Sequence, residues 1–204
     1  MEIKTFHGGV HPAGNKALSQ DCPLTPLLPK GELVYMTNQH IGKPATPVVK
    51  KGDHVLAGQV IAEAGGFVSA NICSSVSGTV KAVEPRKNAS GGSAMAIVVE
   101  NDGEYTLAEG VGVQTDANAL ENKEILARIQ KAGIVGMGGA GFPTHVKLTV
   151  KEPEKIDYII ANGAECEPYI TCDDQLMRTK SAEIVAGIEL ILRLFPNAKG
   201  VVVI

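Results

Sequence analysis

The residues most able to do chemistry lie between Gly133 and Lys147, in the run Gly133-Ile134-Val135-Gly136-Met137-Gly138-Gly139-Ala140-Gly141-Phe142-Pro143-Thr144-His145-Val146-Lys147. Glycine at this density lets backbone N–H groups approach a flat ring or a phosphate with no Cβ in the way. Lys147 adds a cation close by. Gly136 to Gly141 satisfies G-x-G-x-x-G literally, but a helix rather than a strand is expected ahead of it. No Gly-Lys-Ser/Thr closes the loop, so it is not a P-loop. Taken alone, the segment suits a flexible connection as well as it suits a ligand cradle.

A second constellation, Asn162-Gly163-Ala164-Glu165-Cys166-Glu167-Pro168-Tyr169, follows the apolar run 156–161. Ligands of α/β sheets bind beyond the carboxyl ends of strands, which is where this loop falls. Asn162, Glu165 and Glu167 could bond ribose hydroxyls or the polar edge of a ring. The same acids would equally suit the N-terminus of a following helix. A third pattern, 47–63 followed by 72–80, has the cadence of a biotinyl/lipoyl-type sandwich. Carriers of that kind present a modifiable lysine on the intervening hairpin. Here the hairpin reads Ala64-Gly65-Gly66-Phe67-Val68-Ser69-Ala70-Asn71, without lysine, which favours a structural use of the fold.

Other reactive residue types carry less. His7 and His11 flank Gly8-Gly9 with no acid or cysteine at ligand spacing, and suit a turn. Cys166 and Cys172 lack the partners of a tetrahedral site, so no metal is expected. Acids on both sides of Cys166 disfavour a nucleophilic thiolate. No Ser/His/Asp signature is present.

These segments are positioned by two stretches of different grammar. Up to about residue 115 the chain is rich in Gly and Pro, with short strand-like runs at 33–35, 55–62, 79–83 and 96–100, which predicts a small β-sandwich or barrel. From about residue 118 helix and strand alternate. Leu120, Ile125, Ile129 and Ala132 mark a helical face ended by Gly133, and 156–161 reads as a buried strand. Thr171 with Asp174 resembles a capping box opening one helix with Met177, Ile184, Val185, Ile188, Ile191 and Leu192 along its stripe. Pro196 ends that helix, and 201–204 reads as another strand. The fold class expected is a two-domain α+β or α/β chain: a β barrel-sandwich over 1–115, then the first part of an α/β domain over 116–204. The chain stops inside an apolar run, whereas a parallel sheet needs both faces covered. The second domain is therefore expected to continue past Ile204, a terminal edge strand being the alternative.

The whole chain has 204 residues, 44% hydrophobic and 20% charged, with a net charge of -3. Such a composition excludes disordered and fibrous classes and gives no electrostatic case for nucleic acid. No apolar run approaches the roughly 18 residues of a membrane span. The N-terminus lacks a secretory h-region, and four scattered cysteines form no framework, so a reducing cytosol is expected.

Taken together, Gly8-Gly9-Val10-His11-Pro12 with Asn15-Lys16, Gly138 through Leu148, and Asn162 through Tyr169 resemble the RnfC subunits of the Rnf-type ferredoxin:NAD oxidoreductases. The middle motif is shared with the flavin subunit of respiratory complex I and with a cobalamin reductase of propanediol-using bacteria. The resemblance implies a Rossmann-like domain that binds FMN and exchanges hydride with NAD(H). Gly136, Gly138, Gly139, Ala140, Gly141 and Lys147 would then line the flavin. Asn162 and Glu165 would meet its polar parts, and Phe142 and Glu167 would lie on the nucleotide side. Ala164 stands where the complex I pattern has Asp. No catalytic side chain is implied, since hydride transfer is the cofactors' chemistry, and Lys147 would favour the reduced anionic flavin. The family's two 4Fe-4S clusters need a cysteine run that is absent here and is expected beyond Ile204. The implied setting is peripheral, on the cytoplasmic side of the membrane, beside the other Rnf subunits and indirectly ferredoxin. The other readings are a cobalamin reductase-like flavoprotein and a non-catalytic scaffold that docks membrane subunits.

Overall fold

The computed structural model describes residues 8, 10 and 12–204. His7 and His11, with most of the opening Gly-His-Pro motif, lie outside the described residues. Contacts divide the chain into two compact units, Leu27–Lys151 on the one hand and the residues up to Pro26 with Glu152–Ile204 on the other.

The larger unit holds two antiparallel sheets. One runs β1–β7–β6–β3, from β1 (Glu32–Met36), β3 (His54–Val55), β6 (Gly78–Lys87) and β7 (Ser93–Asn101). The other runs β2–β4–β5, from β2 (Thr46–Pro47), β4 (Val60–Glu63) and β5 (Ile72–Cys73). Both contribute to one core, with Tyr35, Val55, Val80, Ile97 and Val99 from the first and Ile61, Ala62 and Ile72 from the second. Aliphatic side chains dominate it, as a chain without tryptophan requires. The Tyr35 hydroxyl stays satisfied at the edge of the core, accepting from Ser75 N at 3.0 Å and lying 2.8 Å from Ser75 Oγ. The run 55–62, expected as one strand, is two. Gly58 turns the chain between them at φ +84°, where only glycine is unstrained, and a Cβ there would strike the Val111 side chain at 2.6 Å.

Contacts do not follow the change of sequence pattern near residue 115. Helix α1 (Asn122–Lys131) and the short α2 (Thr144–Leu148) group with the sheets rather than with the later strands. Asn71 Nδ2 donates to Lys131 O at 3.2 Å, and Cys73 Sγ approaches Ala132 O at 3.8 Å, tying the end of α1 to β5. The helix ends in a Schellman motif: Gly133 at φ +66° donates to Gln130 O, and Ile134 N donates to Ile129 O.

In the smaller unit β8 (Tyr158–Asn162) pairs in parallel with β9 (Lys199–Val203), and the crossover carries α3 (Cys172–Thr179) and α4 (Ser181–Leu192). Helix α4 packs so closely on β9 that a Cβ on Gly200 would meet Ile188 Cγ2 at 2.8 Å. The single helix expected after Thr171 is broken, because Lys180 takes φ −128° and serves as both the C-cap of α3 and the N-cap of α4. The capping box expected from Thr171 and Asp174 does not form, since the Thr171 side chain makes no cap bond.

Candidate functional site

The Gly-rich loop is pinned at its base. Gly136 N donates to Phe142 O at 2.9 Å and Thr144 N donates to Ile134 O at 2.9 Å, closing 136–142 into a tight excursion. Its returning arm lies against the 39–41 segment. Ile41 N donates to Ala140 O at 3.1 Å, and a Cβ on Gly141 (φ +62°) would stand 2.8 Å from Gln39 O. At Gly138 and Gly139 the situation is opposite: nothing lies within 4 Å of where a Cβ would be. The loop thus has a fixed, glycine-dependent root and an open, Cβ-free crown.

Lys147, one helical turn beyond the loop on α2, reaches back over it. Its Nζ is 2.7 Å from the position a Gly136 Cβ would take and 5.9 Å from the Phe142 ring centroid. No carboxylate pairs with it among the described residues. Beside the loop is a cavity of about 400 Å³, lined by Gln39, His40, Asn71 and Cys73 and by loop residues including Gly136 and Gly139. His40 is fixed there: its Nε2 accepts from Ala70 N at 3.2 Å, which makes Nδ1 the donor to Ile41 O at 3.1 Å. Burial raises the Cys73 thiol above its usual range, which disfavours its thiolate.

Asn162, Glu165 and Glu167 belong to the smaller unit. Asn162 Oδ1 accepts from Ala164 N at 3.1 Å, and Glu167 is exposed. Glu165 caps α3 in the place of Thr171. Its Oε1 accepts from Asp173 N at 3.0 Å and from the Cys172 thiol at 3.1 Å, and its Oε2 faces Asp174 N at 3.4 Å. Partial desolvation works against the carboxylate, but these donors and the Lys16 charge prevail and hold Glu165 below the usual glutamate range. The bond to Glu165 in turn pushes the Cys172 thiol up. Glu165, Cys172 and Asp173 lie close together, with the Glu165 carboxylate accepting from all three donors at the start of α3.

Sequence reasoning assigned no role to Lys16, His40 or Asn71. Lys16 stood in a motif that carried the resemblance, while His40 and Asn71 reach the Gly-rich loop only through the tertiary fold.

Two antiparallel sheets around one core and a parallel β-α-β unit define a chain with a barrel-sandwich part and an α/β part. Residues 4–104 match the family described as RnfC Barrel sandwich hybrid domain, and residues 129–204 match the Nuo51 FMN-binding domain. The chain is 43% identical over 201 residues to the C subunit of the proton-translocating ferredoxin:NAD(+) oxidoreductase complex of Clostridium ljungdahlii, covering 98% of this chain and 44% of that protein. It is 42% identical over 203 residues to the Na(+)-translocating counterpart of Acetobacterium woodii, covering 98% and 46%. To the C subunit of the ion-translocating oxidoreductase complex of Rhodobacter capsulatus it is 42% identical over 196 residues, covering 95% and 37%. The chain belongs to the RnfC family. It spans less than half the length of these curated relatives. Among the described residues no helix is long and apolar enough to cross a membrane.

Proposed function

We propose that this chain is the FMN- and NAD(H)-binding part of an electron-transfer subunit in a membrane-bound ferredoxin:NAD oxidoreductase. The observation that carries the reading is the open crown at Gly138 and Gly139 with the Lys147 ammonium folded over the same loop. A planar ring that becomes anionic on reduction is served by both: a surface without Cβ atoms and a cation at its polar edge.

FMN, when bound, supplies the hydride exchange with NAD(H) and the single-electron traffic to iron–sulfur clusters. The protein's part is positional. Gly136, Gly138, Gly139, Ala140 and Gly141 offer backbone to the ring, with Ala140 held by its bond from Ile41 N. Lys147 places positive charge where the reduced ring carries negative charge. Phe142 and Glu167 serve the nucleotide side, and Asn162 the polar parts of the flavin. A carboxylate has about four lone-pair sites, so Glu165 can cap α3 and still accept from a ligand.

The β8–α3–α4–β9 unit is, on this reading, the opening of a Rossmann-like sheet. The two 4Fe-4S clusters are assigned to the part of the full-length protein outside these 204 residues. The protein is peripheral on the cytoplasmic side, with the other Rnf subunits as partners, ferredoxin as an indirect one and no nucleic acid. The test is to purify the full-length protein, extract its cofactor and identify it chromatographically. Bound FMN is expected; a protein that holds none after reconstitution with FMN would replace this reading with that of a docking scaffold.

A further inference from the structure

The Asn15-Lys16 pair, so far only part of a motif and a charge near Glu165, makes a set of polar contacts to the 165–170 turn. Tyr169 adopts φ +66°, a left-handed conformation that costs a bulky residue energy unless its surroundings enforce it. Three neighbours do so. Tyr169 N donates to Gly14 O at 2.7 Å, Ser19 Oγ donates to Tyr169 O at 2.5 Å, and Asn15 Nδ2 donates to the Tyr169 hydroxyl at 3.0 Å. Lys16, within the 3₁₀ turn Lys16–Leu18, donates from Nζ to Glu165 O and to Ile170 O, the latter at 2.9 Å. One half-buried ammonium thereby bridges the two ends of the 165–170 turn. Gln175 Nε2 adds a bond from α3 to Gln20 O at 2.5 Å.

We propose that Lys16 is a positioning residue for the cofactor site. With Gly14, Asn15 and Ser19 it locks the Glu165–Ile170 turn into the single arrangement in which Glu165 and Glu167 face their ligand. Two carbonyl oxygens drawn to one ammonium fix the turn's closure, and the clamped Tyr169 fixes its direction. Neither effect is local in sequence: the residues that hold the turn precede it by about 150 positions, as the Lys16–Glu165 separation of 149 shows. The inference rests on the flavin reading above, and its test separates the two.

Lys16→Met and Lys16→Arg are made in the full-length protein. Amide exchange across residues 162–171 is followed by mass spectrometry, and FMN affinity by titrating the apoprotein. In Lys16→Met the turn's amides should exchange roughly tenfold faster and FMN should bind roughly tenfold more weakly, about the effect of one lost charge-assisted hydrogen bond. The thermal midpoint should stay near that of the wild type, and Lys16→Arg, which keeps a cation with several donors, should restore both readings. Unchanged exchange in Lys16→Met would refute the clasp whatever the cofactor. Faster exchange with unaltered FMN affinity would show the clasp to be structural and overturn the positioning role. A wild-type protein that binds no FMN would overturn the flavin reading and this inference with it, while the exchange data would still decide whether Lys16 holds the turn.

Discussion

The Lys147 ammonium stands 5.9 Å from the centroid of the Phe142 ring, and both residues flank the same glycine loop. This separation is at the outer edge of a cation–π contact. The pair therefore leaves most of the lysine's field available to a ligand laid on the loop. Replacing Lys147 with Ala in the full-length protein should lower the flavin midpoint potential, because the reduced, anionic ring loses its cation. A shift of about 30 mV corresponds to a tenfold change for a two-electron couple and is the scale expected. Potentiometric titration reads it directly, and an unchanged potential would remove Lys147 from the site.

Two glycines of the loop should behave in opposite ways. Gly141 is in the left-handed region and a Cβ would stand 2.8 Å from Gln39 O. Gly141→Ala should cost at least about 2 kcal/mol in stability, from backbone strain and the clash together. Gly138 has nothing within 4 Å, so Gly138→Ala should fold with a stability within about 0.5 kcal/mol of the wild type. FMN binding should nevertheless weaken in Gly138→Ala, because the new methyl group occupies the ring's face. Denaturant melts paired with FMN titration separate the two effects.

Glu165 supplies a pH signature. Its folded pKa is lowered, so its contribution to stability is fully present above the unfolded glutamate value, near 4.3, and fades as the pH falls through the lower folded value. Glu165→Gln removes that linkage. The wild type should lose more stability than the variant as the pH drops from about 5 towards 3. Parallel melting curves for the two proteins in the low-pH range would expose the assignment as wrong.

The barrel core gives a control that leaves the site alone. Ile61 is completely buried between the two sheets. Ile61→Ala should cost about 2–5 kcal/mol, measured by denaturant unfolding, whereas Ile61→Val should cost about 0.5–1.5 kcal/mol.

Much of this architecture was legible in local pattern. The short strand-like runs around Val34, Val80 and Val98 are strands, and the Ile125–Ile129 face ended by Gly133 is a helix closed as its residues suggest. These features depend on periodicity and on backbone preferences that act within a few residues. What could not be read locally depended on distant partners. The Thr171 hydroxyl was an expected cap, but the Glu165 carboxylate does the capping, with two oxygens reaching successive N–H groups at once. The break at Lys180 interrupts a stripe whose spacing gives no hint of it. Lys16 had a place in the motif but no function until Tyr169 and Glu165 were seen around it. Within the candidate site, composition marked the glycine loop, whereas its fixed root and open crown follow only from the 39–41 segment lying against Gly141.

The central claim is that the glycine loop with Lys147 belongs to a flavin site that communicates with NAD(H). The most direct measurement is the visible spectrum of the full-length protein under anaerobic conditions, before and after NADH is added. Flavin absorption that bleaches on addition of NADH, and bleaches less completely in Gly138→Ala at the same FMN concentration, is the predicted result. A reconstituted protein whose spectrum shows no flavin, or whose flavin does not respond to NADH, would contradict the account.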